Sequence, residues 1–244
     1  MAETRALRWP PLVVVGVTGG IASGKSTVCR MLAECGARVL NADDVGREVV
    51  APGEPALAEL LAAFGRDYLA PDGTLRRREL GTRVFRSPRD LATLNRITHP
   101  RIGQCLAARL RDWQTEPLCP PIIALEAAVL IEAGWTTLVD RVLVVTAQHS
   151  TQIARLMGGL GLSQADAAAR VHAQLSPRLR LRHADYPLVG DLPLPEVQQQ
   201  VERIWRDLSH AAGRPSPSLL LDDLEANPAT EKKSRRRKAR LLSS

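Results

Sequence analysis

Gly19, four residues, then Gly24-Lys25-Ser26 reproduces the phosphate-binding pattern G-x-x-x-x-G-K-[ST], and few features restrict a fold more tightly. Such a loop works only between a buried strand and the N-terminus of a helix. The apolar run Leu12-Val13-Val14-Val15 precedes it, and Val28, Met31 and Leu32 follow at helical spacing. The sequence therefore predicts strand, loop, helix, and with them a parallel α/β sheet. Backbone N–H groups of Gly19, Gly20, Ile21, Ala22, Ser23 and Gly24 are expected to cradle phosphates at the helix N-terminus. Lys25 would reach the β and γ oxygens, the Ser26 hydroxyl would ligate Mg²⁺, and Thr27 would meet the α-phosphate. The loop implies a nucleoside triphosphate and leaves its use open.

The rest of the composition narrows the class. A chain of 244 residues can bury a large core, and with only 3% aromatic residues that core is aliphatic. The longest apolar run, Ile122 to Ile131, is broken by Glu126 and is too short to cross a membrane. Met1 to Pro11 lacks an apolar signal core, so a cytoplasmic chain is expected. Cys29, Cys35, Cys105 and Cys119 have no metal or redox spacing, and no metal cluster is expected. The net charge of +7 is concentrated: residues 231–244 hold seven basic residues and one acid. That basic tail suits contact with nucleic acid, an anionic membrane or an import receptor (a nuclear address), or a merely solubilising end.

Further along the chain, Arg38 to Ala42 reads as a second strand, which places Asp43 near the phosphate loop beyond the strand ends. An acid there serves either chemistry or a helix cap. Residues 46 to 113 carry helical patterns, among them Leu57, Leu60, Leu61 and Phe64, with many arginines and no strand pattern. This reads as a helical insertion for an anionic second substrate. His99-Pro100 reads as an element boundary. Ile122 to Leu125 forms a third strand closed by Glu126, where an acid could hold Mg²⁺ directly or through water. Arg141 to Val145 is a fourth strand. Gln148 to Met157 is helical, Gly158-Gly159-Leu160-Gly161 interrupts it, and Ser163 caps the next helix, together resembling a hinged lid. Leu188-Val189 suggests a last strand, and Pro195 opens an amphipathic helix ending near Gly213.

These motifs together resemble the dephospho-CoA kinase family. The likeness is carried by Gly16 to Thr27, Asn41-Ala42-Asp43, Phe64-Gly65, Asp72 to Arg77, Val84-Phe85, His99-Pro100, and Gly161-Leu162-Ser163 with Arg170 and Gln174. Leu125 to Trp135 is most like the kinase domain of eukaryotic bifunctional CoA synthases. The resemblance implies ATP-dependent phosphorylation of the ribose 3′-hydroxyl of dephospho-CoA, giving CoA and ADP with Mg²⁺. It implies a P-loop NTPase-type parallel sheet flanked by helices, with a helical CoA-substrate insertion and a helical lid. The kinase domain would span residues 11–213, the insertion 46–115, the lid 148–182 and a disordered basic tail 214–244. Asp43 becomes the candidate base, with Lys25 beside it in catalysis. Arg155 joins the loop in binding ATP. Arg77, His99 and Glu126 fall on substrate-side positions, and Glu126 with Ser26 on the metal.

Three departures stand out. Asn41 replaces the first acid of the family's Asp-x-Asp, and Glu126 replaces its usual Asp. Gly159 stands where the family has the lid arginine that clamps phosphates; Arg155 and Arg178 are the candidates to replace it. The alternatives are a catalytically weak nucleotide-binding paralogue, or another small-molecule P-loop kinase.

Overall fold

The computed structural model describes residues 12–116 and 118–212. The N-terminal leader, Gly213 and the basic tail lie outside the described residues. Five parallel strands form one sheet in the order β2-β3-β1-β4-β5. They are β1 (Val13–Gly19), β2 (Arg38–Asn41), β3 (Ile122–Glu126), β4 (Arg141–Thr146) and β5 (Tyr186–Val189). The strands read as continuous apolar runs because both faces of the sheet are covered. On one face, Val13, Val15 and Val17 pack with α1 (Lys25–Glu34) and α9 (Leu194–Ala211). On the other, Val14, Leu40, Ile123 and Val144 pack under α2 (Ala42–Glu48), α3 (Pro55–Phe64), α4 (Arg77–Val84) and α5 (Pro88–Thr115). A smaller cluster of Leu156, Ala167 and Val171 holds α6 (His149–Leu160) against α7 (Gln164–His172); α8 (Pro177–Leu181) leads into β5.

Strand order fixes the site. β1 lies between β3 and β4, where the connections diverge to opposite edges of the sheet, and such a switch point opens a crevice beyond the strand ends. In register, Val17 sits opposite Glu126, and Asn41 opposite Glu126 from the other side. Three strand ends therefore deliver the phosphate loop, Glu126 and Asn41 to one edge.

Several sequence expectations need correction. β1 continues to Gly19, so the strand runs into the loop. Ala42 begins α2 instead of ending β2: Asn41 caps that helix by accepting from Asp43 N at 2.8 Å. His99-Pro100 is no boundary, because both lie inside the 28-residue α5. Pro100 cannot donate to Arg96, but the surrounding turns are held by packing of Ile97, Ile102 and Leu106. The interruption at Gly158-Gly159 is also absent. α6 runs through both glycines to Leu160 and stops at Gly161, the residue with left-handed backbone at φ +63°. Two interior glycines weaken a helix by about 1 kcal/mol each, which leucine packing at Leu156 can offset. α7 ends at His172, with Ser163 capping it through Asp166 N.

Candidate active site

The loop is built as its glycines demand. Gly24 caps α1 at φ +103° and brings no capping side chain, so the first N–H groups of α1 stay available to an anion. A Cβ at Gly19 would lie 2.2 Å from the Val145 carbonyl oxygen, so no other residue fits there. Ala22 takes a left-handed backbone at φ +55°, a strained choice for alanine of about 1–2 kcal/mol. Strain of this kind is common in loops that present N–H groups to a ligand.

Lys25 Nζ lies across the loop, donating to the Gly19 and Gly20 carbonyls at 3.1 and 2.8 Å. Burial holds its ammonium below the ordinary 10.5, with nearby Glu126 opposing that fall. Ser26 Oγ donates to Glu126 Oε1 at 2.6 Å, and Asn41 Nδ2 donates to Glu126 Oε2 at 3.2 Å. One carboxylate thus joins the loop helix, β2 and β3. A hydroxyl oxygen beside a carboxylate is the hard oxygen pair that Mg²⁺ prefers.

Two cavities flank this centre. The first, about 530 Å³, is lined by Ala22, Ser23, Gly24, Lys25, Ser26 and Thr27 with Arg155, Gly190, Leu192, Leu194 and Val197. Arg155 donates to the Ala22 and Gly190 carbonyls, both at 3.0 Å, bridging α6 to the loop. Leu192, Leu194 and Val197 give it an apolar wall that suits a base. The second cavity, about 350 Å³, holds Asp43, Arg77 and His99 together with Arg47, Val129 and Trp135. Arg77 donates to the Arg47 carbonyl at 2.7 Å, and burial lowers its pKa from the usual arginine value. The His99 ring lies 5.5 Å from that of Trp135, and burial lowers its pKa below 6.5 despite nearby Glu132. His99 is therefore neutral at neutral pH.

Of the sequence-derived residues, Ala22 to Thr27 and Arg155 line the first cavity, Asp43, Arg77 and His99 the second, and Glu126 bonds Ser26 outside both linings, as Gly19, Gly20 and Ile21 also lie outside them. Gly159 lies on the open side of α6: a Cβ there would meet nothing within 4 Å, and the position itself carries no charge. Arg178 is exposed on α8. Sequence reasoning missed Gly190, Leu192 and Leu194; the glycine following β5 was their available signal. It also missed Gln152, which donates to the Ile21 carbonyl at 2.9 Å, and buried Arg180. Gln174, quoted only as a family match, accepts from Ile21 N at 2.7 Å.

A parallel sheet with this strand order, a phosphate loop at its switch point and a second cavity across the carboxylates define a P-loop kinase fold. Comparison with known proteins gives the family. The dephospho-CoA kinase family matches residues 13–196, and the chain belongs to that family. A dephospho-CoA kinase of Streptomyces avermitilis is 44% identical over 207 residues, covering 85% of this chain and 99% of that protein. One from Moorella thermoacetica is 42% identical, covering 84% of this chain and 97% of that protein. A Thermus thermophilus crystal structure superposes with a TM-score of 0.67 at 28% identity, covering 81% of this chain and 98% of that one.

Proposed function

We propose that this chain transfers the γ-phosphoryl group of ATP to the ribose 3′-hydroxyl of dephospho-CoA, giving CoA and ADP in the last step of coenzyme A synthesis. The observation that carries the reading is Asp43. It opens onto the second cavity, and its N–H is held by Asn41, whose contacts run through Glu126 and Ser26 to the phosphate loop. ATP occupies the first cavity, its phosphates on the loop amides between Gly19 and Gly24 other than Ile21 and Ser23, whose N–H groups already donate to Gln174 and the Gly20 carbonyl, and on Lys25, Ser26 and Thr27, with Arg155 alongside. Dephospho-CoA occupies the second, where Arg77 offers charge and neutral His99 a polar ring. Asp43 takes the 3′-hydroxyl proton as the oxygen attacks, while Lys25 neutralises charge on the departing phosphate. Ser26 and Glu126, the latter through water, would hold Mg²⁺, which supplies charge neutralisation at the phosphates. The same reading assigns residues 46–115 to the CoA substrate and 148–182 to a lid within a domain over 11–213. It also places the enzyme in the cytoplasm. Among the described residues no helix is long and apolar enough to cross a membrane.

Coupled ADP release with dephospho-CoA, comparing the parent with Lys25→Ala and Asp43→Asn, tests the roles. Each variant should lose about 100-fold or more in kcat. Unchanged turnover in either removes that residue from the mechanism. The bare Gly159 surface favours one competing reading, a nucleotide-binding paralogue with little catalysis. It predicts normal ATP binding, slow turnover, and a sharp gain from Gly159→Arg.

A further inference from the structure

Arg180, on α8, is 3% exposed. Its Nη2 donates to Glu132 Oε1 at 3.0 Å, and the Glu132 side chain is itself 31% exposed. The Arg180 Nε is buried without a hydrogen-bond partner. A desolvated guanidinium costs several kcal/mol, and an unmatched buried donor adds about 1–3 kcal/mol. One half-wet carboxylate is thin compensation, and an apolar side chain would fill the position more cheaply. The location supplies a reason for the charge. Arg180 lines a gap of about 20 Å³ with Gly20 of the phosphate loop, Gln152 and Gln174. That volume admits about one oxygen atom. On the loop side the gap reaches Gly20, whose carbonyl accepts from Lys25 Nζ at 2.8 Å. On the other side its partner Glu132 acts on His99 in the acceptor cavity. Two cations, Lys25 and Arg180, thus reach the Gly20 turn of the loop from different elements, and an anion bound there would meet both.

We propose that Arg180, oriented by Glu132, donates to one oxygen of the γ-phosphoryl group during transfer and supplies the positive charge that Gly159 does not. This rests on the kinase reading above. In the step, a bond forms between the 3′-oxygen and Pγ, and the bond from Pγ to the bridging oxygen breaks. The bond's electron pair leaves on ADP, the hydroxyl proton goes to Asp43, and Arg180 keeps its protons. The Arg155 guanidinium is already committed to backbone carbonyls on the nucleotide side. Arg180 is the better placed of the two.

The variants Arg180→Met, Arg180→Lys and Glu132→Gln test this in the full chain. Three readouts apply: kcat and KM by coupled ADP release, affinity for ADP and for a non-hydrolysable ATP analogue by calorimetry, and thermal unfolding. Arg180→Met should lower kcat about 100-fold or more, as loss of a charge stabiliser does, while ADP affinity stays within about twofold. Analogue affinity should fall, because only the analogue carries a γ group. Arg180→Lys should recover part of kcat, and Glu132→Gln, which loosens the guanidinium, should fall between parent and Arg180→Met. A kcat within about threefold of the parent, or equal losses of ADP and analogue affinity, overturns the proposal and makes Arg180 a packing residue. If Arg180→Met does not fold, Arg180→Lys decides by the same two readings. The calorimetric arm needs no acceptor. Should dephospho-CoA prove not to be the substrate, a preserved split between ADP and analogue would still uphold Arg180.

Discussion

At the scale of single residues, Asn41 explains how this chain departs from its family pattern without losing the centre. Its amide divides in two directions: Nδ2 donates to Glu126, and Oδ1 accepts from the Asp43 N–H. Aspartate could do only the second. Next to Glu126, which reaches one methylene further than aspartate, a second carboxylate would meet the first head-on. Asn41 and Glu126 are therefore a matched pair. Asn41→Asp should lower turnover about tenfold, with the deficit shrinking on acidification, because closely placed carboxylates are eased by taking up a proton. A double change with Glu126→Asp should recover most of the loss. A pH–rate series on parent, single and double variants checks this; an Asn41→Asp variant as active as the parent at pH 8 contradicts it. Lys25, Ser26 and the glycines were legible in the sequence because a phosphate loop is local, its geometry set within a single short stretch. Arg180 was not. Its partner Glu132 lies 48 residues away, the gap it lines is shared with Gly20 of the loop, and an arginine in Leu179-Arg180-Leu181-Arg182 gives no local sign of being buried.

Among the elements, strands were easier to read than helix ends. An apolar run such as Ile122 to Leu125 has few other uses, whereas glycine and proline act as punctuation only where packing permits. Pro100 and the Gly158-Gly159 pair both read as breaks, and both lie inside helices. Tertiary contacts overrode local preference in each case: α5 is held by Ile97, Ile102, Leu106 and Leu110, α6 by Leu156. Arg101 Nη1 also satisfies the Ile97 carbonyl at 2.7 Å, in the turn that Pro100 weakens. Pro100→Ala restores a backbone donor to a long helix and should stabilise the protein by about 1–3 kcal/mol in urea unfolding. A destabilised variant would mean that the proline's ring, and not only its neighbours, is needed to seat α5.

For the molecule as a whole, the loop is the point where separate layers are joined. α6 reaches it through Gln152 and Arg155, the end of α7 through Gln174, and β3 through Glu126. The α6–α7 segment therefore holds the backbone of Ile21 and Ala22, within the loop that the proposed function assigns to ATP. The basic segment 231–244 lies outside both the described residues and the family match over 13–196. Removing it should leave kcat and both KM values within about twofold if the charge serves only as an address or contact. A large loss of turnover in the truncated chain would make it part of the enzyme. Phosphoryl transfer to dephospho-CoA is probed by a panel of acceptors with the purified chain. With ATP and Mg²⁺, ADP release is measured on dephospho-CoA, adenosine, nucleoside monophosphates and no acceptor. Turnover is expected with dephospho-CoA alone, with CoA as the second product and dependence on Lys25 and Asp43. Equal or faster turnover of another acceptor, or none with dephospho-CoA, would contradict it.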